Sequence, residues 1–263
     1  MDLSPVHWDA DRQRWRDIAA QPYAEAARES FDYAKATVAL ECVPSGPTFA
    51  GTLIASGLKP HFAYQLKLNG LPTFLHGEDG NEWANEQLGR AGRWWATRRR
   101  NSDGAVVKQW RSTDAEFDEW QARGFTDADH HVGFEGYLLF DYLVTDADGA
   151  GRLDLALVNS FHVLFKTAQR EPRPNDSVPT PHQVAARAAS PWYDADLPPQ
   201  TVPLYAEWEP TRALPGHCLL PPGDYTARLF LTEESFHERE PGSGAWATVL
   251  ASDVLAFAID REA

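Results

Sequence analysis

Apolar and polar positions change period once along the chain. Over residues 9–35 the spacing is helical and predicts two short helices. Asp9 can cap the first, placing Trp15, Ile18 and Ala19 on one side. Pro22 suits the first turn of the second, where Tyr23, Ala27, Phe31 and Ala34 recur. From residue 36 the period is two, and Val38, Leu40 and Cys42 alternate with Thr37, Ala39 and Glu41. Phe49, Gly51, Leu53 and Ala55 line a second strand. A third turns Phe62, Tyr64, Leu66 and Leu68 inward and Gln65 and Lys67 outward, as in a half-buried antiparallel strand. Residues 134–145 are apolar on both faces, as in a central strand, whereas 152–166 place Leu153, Leu155, Leu157, Phe161, Val163 and Phe165 on one face. Residues 202–209, 223–236 and 246–260 bring the total to about eight strands, enough for an Ig-like or jelly-roll-like antiparallel β-sandwich.

The predicted organisation is therefore mainly β. A helical segment over 1–35 precedes one β-sandwich domain over 36–263, interrupted by long insertions at 69–133 and 167–201. The first insertion contains a capping box, Thr113-Asp114-Ala115-Glu116, with Gly124 placed to end its helix. The second holds seven prolines and the pattern of a helical turn around Val184–Ala189.

Two segments resemble a known device. In Leu58-Lys59-Pro60-His61-Phe62-Ala63-Tyr64 and in Leu220-Pro221-Pro222-Gly223-Asp224-Tyr225, a Tyr follows a Pro-containing turn at the mouth of a strand. Both resemble the tyrosine corner of fibronectin type III and other immunoglobulin-like sandwiches, in which the Tyr hydroxyl bonds back to upstream backbone. The resemblance implies that Pro60 fixes the turn and that Leu58 packs beneath it. It covers about 20 residues in all and concerns fold alone. As a whole the chain resembles prokaryotic β-sandwich proteins, a likeness that carries no activity with it.

Composition narrows the partners. Hydrophobic residues make up 43% of 263, ordinary for a globular protein, and the net charge of −14 opposes nucleic-acid binding. The one basic run, Arg98-Arg99-Arg100, reads as a solvated loop. No apolar stretch reaches the ~20 residues of a membrane span, and an N-terminus bearing Asp2, Asp9 and Asp11 is not a signal peptide. Cys42 and Cys218 are too few for a disulfide framework. Together these predict a cytoplasmic protein.

Candidate chemistry lies off the framework. Phosphate-loop, dinucleotide and nucleophile-elbow signatures are absent from the sequence. Asp146-Ala147-Asp148-Gly149 has the look of a calcium loop, but Ala150 and Leu157 stand where oxygen ligands are required, so it reads as a turn. Five of the ten tryptophans (Trp83, Trp94, Trp95, Trp110 and Trp120) fall in the first insertion beside Arg90 and Arg93. Indoles and guanidinium groups interleaved this way suit a sugar, peptide or carboxylated small molecule, with Trp83, Arg93, Trp94 and Trp95 as the contact set, or else form a satellite core. An internal echo, Ser160-Phe161-His162 and Ser235-Phe236-His237, offers a second site. If those strands are neighbours, His162, His237 and Glu233 could hold a divalent metal, with Glu207 or Glu209 nearby, or serve as a general acid–base pair. A structural or assembly role, with the N-terminal helices forming homo-oligomer contacts, is the third reading.

Overall fold

The structure, a computed structural model, describes residues 1–6, 13–70, 82–127, 130–157, 161–165, 180–186, 190–208, 220–234 and 246–260. The described strands are β1 (Leu3–Pro5), β2 (Thr37–Cys42), β3 (Ser45–Gly46), β4 (Ala50–Ser56), β5 (Ala63–Gly70), β6 (Arg93–Arg100), β7 (Val106–Trp110) and β8 (Thr126–Asp127). They continue with β9 (His130–Val144), β10 (Gly151–Ala156), β11 (Phe161–Phe165), β12 (Thr180–Val184), β13 (Gln200–Trp208), β14 (Gly223–Glu234), β15 (Trp246–Ser252) and β16 (Leu255–Ile259). Three α-helices join them among the described residues: α1 (Glu25–Ser30), α2 (Glu82–Ala91) and α3 (Asp114–Ala122).

These strands form three sheets. The largest runs β1-β15-β14-β5-β9-β6-β7, with β16 and β3 attached beyond β14 and β8 on β9. Apart from the short parallel contact of β3 with β16, its described pairings are antiparallel. The sheet β10-β4-β2 contributes Val38, Leu40, Leu53 and Leu155 to a single core with Tyr64, Leu66, Leu68, Leu138, Leu229 and Leu231 of the large sheet. This is the sandwich that the alternation predicts. On the opposite face of the large sheet, β11-β13-β12 packs Val184, Val202 and Leu204 against Ala63, Tyr142 and Val144.

That third sheet alters several sequence readings. Every residue of β5 is buried, so Gln65 and Lys67 face a second interior and not solvent. Residues 152–166 are not one strand: β10 lies in one sheet and β11 in another, and the turn predicted at 184–189 begins as the end of β12. Arg98–Arg100 belong to β6, inside the ladder with β9, and not to a loop. Between residues 13 and 22 no helix forms. There the Asp17 carboxylate accepts from the Ala19 and Gln21 amides at 2.8 and 2.9 Å, a local competitor to helical bonding. The Thr113 capping box is present with both of its bonds, and α3 ends just before Gly124, which has φ +68°.

Both predicted Tyr hydroxyls bond to upstream backbone. Tyr64 accepts from the Lys59 amide at 3.0 Å, and Tyr225 donates to the Pro221 carbonyl at 2.8 Å. The turn before Tyr64 is buried throughout, which obliges its backbone groups to find partners. Thr145 donates to the Lys59 carbonyl and accepts from the Phe62 amide, Tyr23 donates to the Pro60 carbonyl, and the Leu58 amide donates to Gly149.

Gly149 has φ +72°, and a Cβ there would fall 1.9 Å from the Leu58 carbonyl oxygen. Gly104, at φ +81°, has nothing within 4 Å of that position. Gly149→Ala should therefore lower stability by clearly more than the ~1 kcal/mol expected for Gly104→Ala from backbone conformation alone. Equal shifts in urea midpoint would show that the Gly149 approach is not tight.

Candidate functional site

Two polar centres occupy the interior, one on each side of the large sheet. The first lies at the end of the main core. Lys59 and Glu233 are both fully buried, and Lys59 Nζ donates to Glu233 Oε1 at 2.7 Å and to the Arg14 carbonyl at 2.6 Å. Glu233 also accepts from the Tyr33 hydroxyl and the Arg14 amide, and the Tyr33 and Tyr64 hydroxyls are hydrogen-bonded at 3.1 Å. Trp15 lies 4.0 Å from the ammonium by its ring centroid, with Phe62 and Phe31 at 5.2 and 5.7 Å. Burial, followed by the Glu233 charge, raises the Tyr33 and Tyr64 phenols well above their ordinary range, so both remain neutral donors. With both oxygens engaged, Glu233 serves as counter-ion to Lys59.

The second centre is on the back of the sheet. Residues directly opposite in an antiparallel ladder share a face. The register Arg228↔Asn69, Asn69↔Tyr137 and Tyr137↔Arg93 therefore lays these four side chains in one row across β14, β5, β9 and β6. Lys67 stands one same-face position from Asn69 and is buried, its ammonium 6.0 Å from the Tyr137 ring centroid. Glu135 stands likewise beside Tyr137. It accepts from Asn69 Nδ2 at 2.5 Å and from Arg98 Nη1 at 2.6 Å. Asn69, Tyr137 and Glu135 are buried, Arg93 and Arg98 half-buried, and Arg228 exposed. Buried polar side chains so dense on a central strand are uncommon, because each costs desolvation unless partnered. Farther along β5, Gln65 donates to the Asp141 carbonyl at 2.7 Å.

The predicted contact set separates. Arg93 joins the back-face row. Trp94 is instead enclosed in a satellite core: it stacks on Phe117 at 4.5 Å, meets Phe134 edge-on at 5.5 Å, and donates from Nε1 to Asp114 at 2.8 Å. The side chains of Trp83 and Trp95 lie outside the described residues. So do the His162 side chain and the whole of His237. Ser160, Ser235 and Phe236 of the echo also lie outside the described residues. β11 belongs to the third sheet, where His162 stands opposite Glu207, and β14 belongs to the large one. Among the described residues no group of three or more His, Cys, Asp or Glu is placed to hold a metal. Lys67, Asn69, Glu135, Arg98 and Arg228 are not site residues in the sequence reading. For Lys67 and Asn69 the available signal is alternation in β5, which reads as a solvent face until the third sheet is known; Glu135, Arg98 and Arg228 join them from β9, β6 and β14.

No family model, curated protein or solved structure matches the chain.

Both centres yield tests. Lys59→Met leaves a buried carboxylate without its counter-ion and should cost about 3–5 kcal/mol, whereas Lys59→Met/Glu233→Gln should cost less than the sum of the single changes. Additive losses in chemical denaturation would show that the two groups are uncoupled. On β9, opposite Leu66, burial pushes the Asp141 carboxyl up from 3.8 to about 6, against the pull of the Tyr142 amide. A carboxyl raised this way keeps its proton more readily in the folded state. Its cost to stability is absent below 3.8, grows as pH rises toward about 6, and is constant above that. Asp141→Asn should therefore gain on the wild type between pH 4 and pH 7, by at most on the order of 3 kcal/mol. An unchanged gap in Tm across that range would assign the titration elsewhere.

Proposed function

We propose that this protein binds a small polar molecule on the back face of its large sheet, at the row formed by Arg228, Asn69, Tyr137 and Arg93 with Lys67, Glu135 and Arg98 beside it. The observation that carries the reading is the buried polar face of β5 and β9, in a position where sheet packing alone favours apolar side chains. Amide, phenol, carboxylate and guanidinium groups converge there on rigid strands, the arrangement that orients a ligand. Arg93 and Arg98 come from the Trp/Arg-rich insertion, which supplies an added strand of the large sheet. The fibronectin-type and immunoglobulin-like likeness of the two Tyr turns bears on the scaffold and adds nothing about the ligand.

Thermal shift and isothermal titration against neutral sugars, amino acids, dicarboxylates and sugar phosphates test the reading. At least one class should raise Tm and titrate with one site per chain. Asn69→Leu, folded by circular dichroism, should weaken that binding by about tenfold or more. Absence of binding across the panel, or binding untouched by Asn69→Leu, would overturn it.

A further inference from the structure

A cavity of about 190 Å³ opens beside α1 and shares no residue with the back-face row. Its walls include Ser30, Phe31, Asp32, Lys35, Pro191 and Trp192. Two half-buried rings supply its apolar surface: Phe31 and Trp192 meet edge to face, with centroids 5.4 Å apart and planes at 62°. Further rings hold both in place. Tyr23 packs on Trp192 at 5.2 Å, and Tyr33 and Trp15 pack on Phe31 at 4.7 and 6.2 Å. The corner is therefore preorganised, while part of each ring still meets solvent.

Opposite charges stand on the rim of this corner. Asp32 caps the 3₁₀ turn Tyr33–Lys35 and Lys35 ends it, and both residues are exposed. Asp32 Oδ1 accepts from the Ala34 amide at 2.9 Å, and Oδ2 makes no hydrogen bond. Lys35 Nζ makes one long contact, 3.4 Å to the Ser30 carbonyl, which leaves two of its three donors unused by the protein. The two groups form no ion pair with each other or with another side chain. A carboxylate and an ammonium set this way over aromatic surface match a molecule that carries both charges itself.

We infer that this cavity binds a free amino acid with an apolar side chain, the side chain against Phe31 and Trp192, the ammonium on Asp32 and the carboxylate on Lys35. A volume of about 190 Å³ falls below the roughly 300–1,000 Å³ of pockets for drug-sized ligands and so favours a small molecule. At an exposed rim a single ion pair is worth little. Selectivity therefore comes from meeting both charges and the rings at once. The site is independent of the back-face binding reading.

The test is isothermal titration of the full chain with L-phenylalanine, with N-acetyl-L-phenylalanine, which lacks the ammonium, and with phenethylamine, which lacks the carboxylate. L-Phenylalanine should bind about threefold or more tightly than either. Asp32→Asn, which keeps an oxygen for the Ala34 amide, should erase the preference over the N-acetyl compound, and Lys35→Gln the preference over phenethylamine. Both side chains are exposed, so these variants keep the fold. Asn69→Leu should leave L-phenylalanine binding unchanged. No binding of L-phenylalanine, equal binding of all three compounds, or preferences that survive in the variants overturns the inference and leaves the back-face reading standing. Loss of L-phenylalanine binding in Asn69→Leu also overturns it, because the ligand then sits on the back face.

Discussion

The ion pair between Lys59 and Glu233 constrains more of this molecule than any other single contact. A buried ammonium and a buried carboxylate each carry a large desolvation cost, which is offset only when geometry and further hydrogen bonds are supplied together. The N-terminal segment supplies them. The Arg14 carbonyl and amide, the Trp15 and Phe31 rings and the Tyr33 hydroxyl all close on the pair. Loss of that segment's placement would therefore expose a charge pair inside the core. The Lys59 turn also receives Tyr23, Tyr64 and Thr145, so the same few residues join the N-terminal segment, the turn before β5 and the last residues of β14. Stability here comes from mutual satisfaction of buried polar groups at one end of an otherwise apolar sandwich.

The back of the large sheet follows a different logic. With β10-β4-β2 on one side and β11-β13-β12 on the other, the central strands have no solvent face along the Ala63 end. There the contacts are apolar, through Val184, Val202 and Leu204. Toward Asn69 they become polar, and Arg98, Asn69 and Glu135 satisfy one another. A packing role alone is met at the Ala63 end by small and branched side chains. The change along β5 from apolar contacts to hydrogen-bonded polar groups shared with β9 and β6 is the feature on which the proposed binding surface rests.

The first insertion adds strand and helix together. α2 lies over the core face of β9, where Gly136 lets the backbones of Asn85 and Gly89 approach; a Cβ there would meet the Asn85 carbonyl oxygen at 2.3 Å. β6 extends the sheet past β9 and brings Arg93 and Arg98 to the opposite face. The insertion thus divides by side: Trp94 packs beneath α3 with Phe117, and Arg93 and Arg98 line the back.

What the sequence by itself determined is local. Period-two alternation located the strands of the main core, Thr113 and Glu116 marked the start of α3, and Tyr64 and Tyr225 announced bonds to their own upstream turns. Each depends on residues a few positions apart, where side-chain direction and turn chemistry follow from the backbone period. Only the tertiary structure decided that Gln65, Lys67 and Asn69 are interior, because alternation distinguishes two faces of a strand without saying what covers either. Only it paired Lys59 with Glu233, 174 residues away, and set Arg93 and Arg228 at opposite ends of one row. Strand order and sheet stacking fix those neighbours, and no periodicity along a single chain encodes which strand lies beside which.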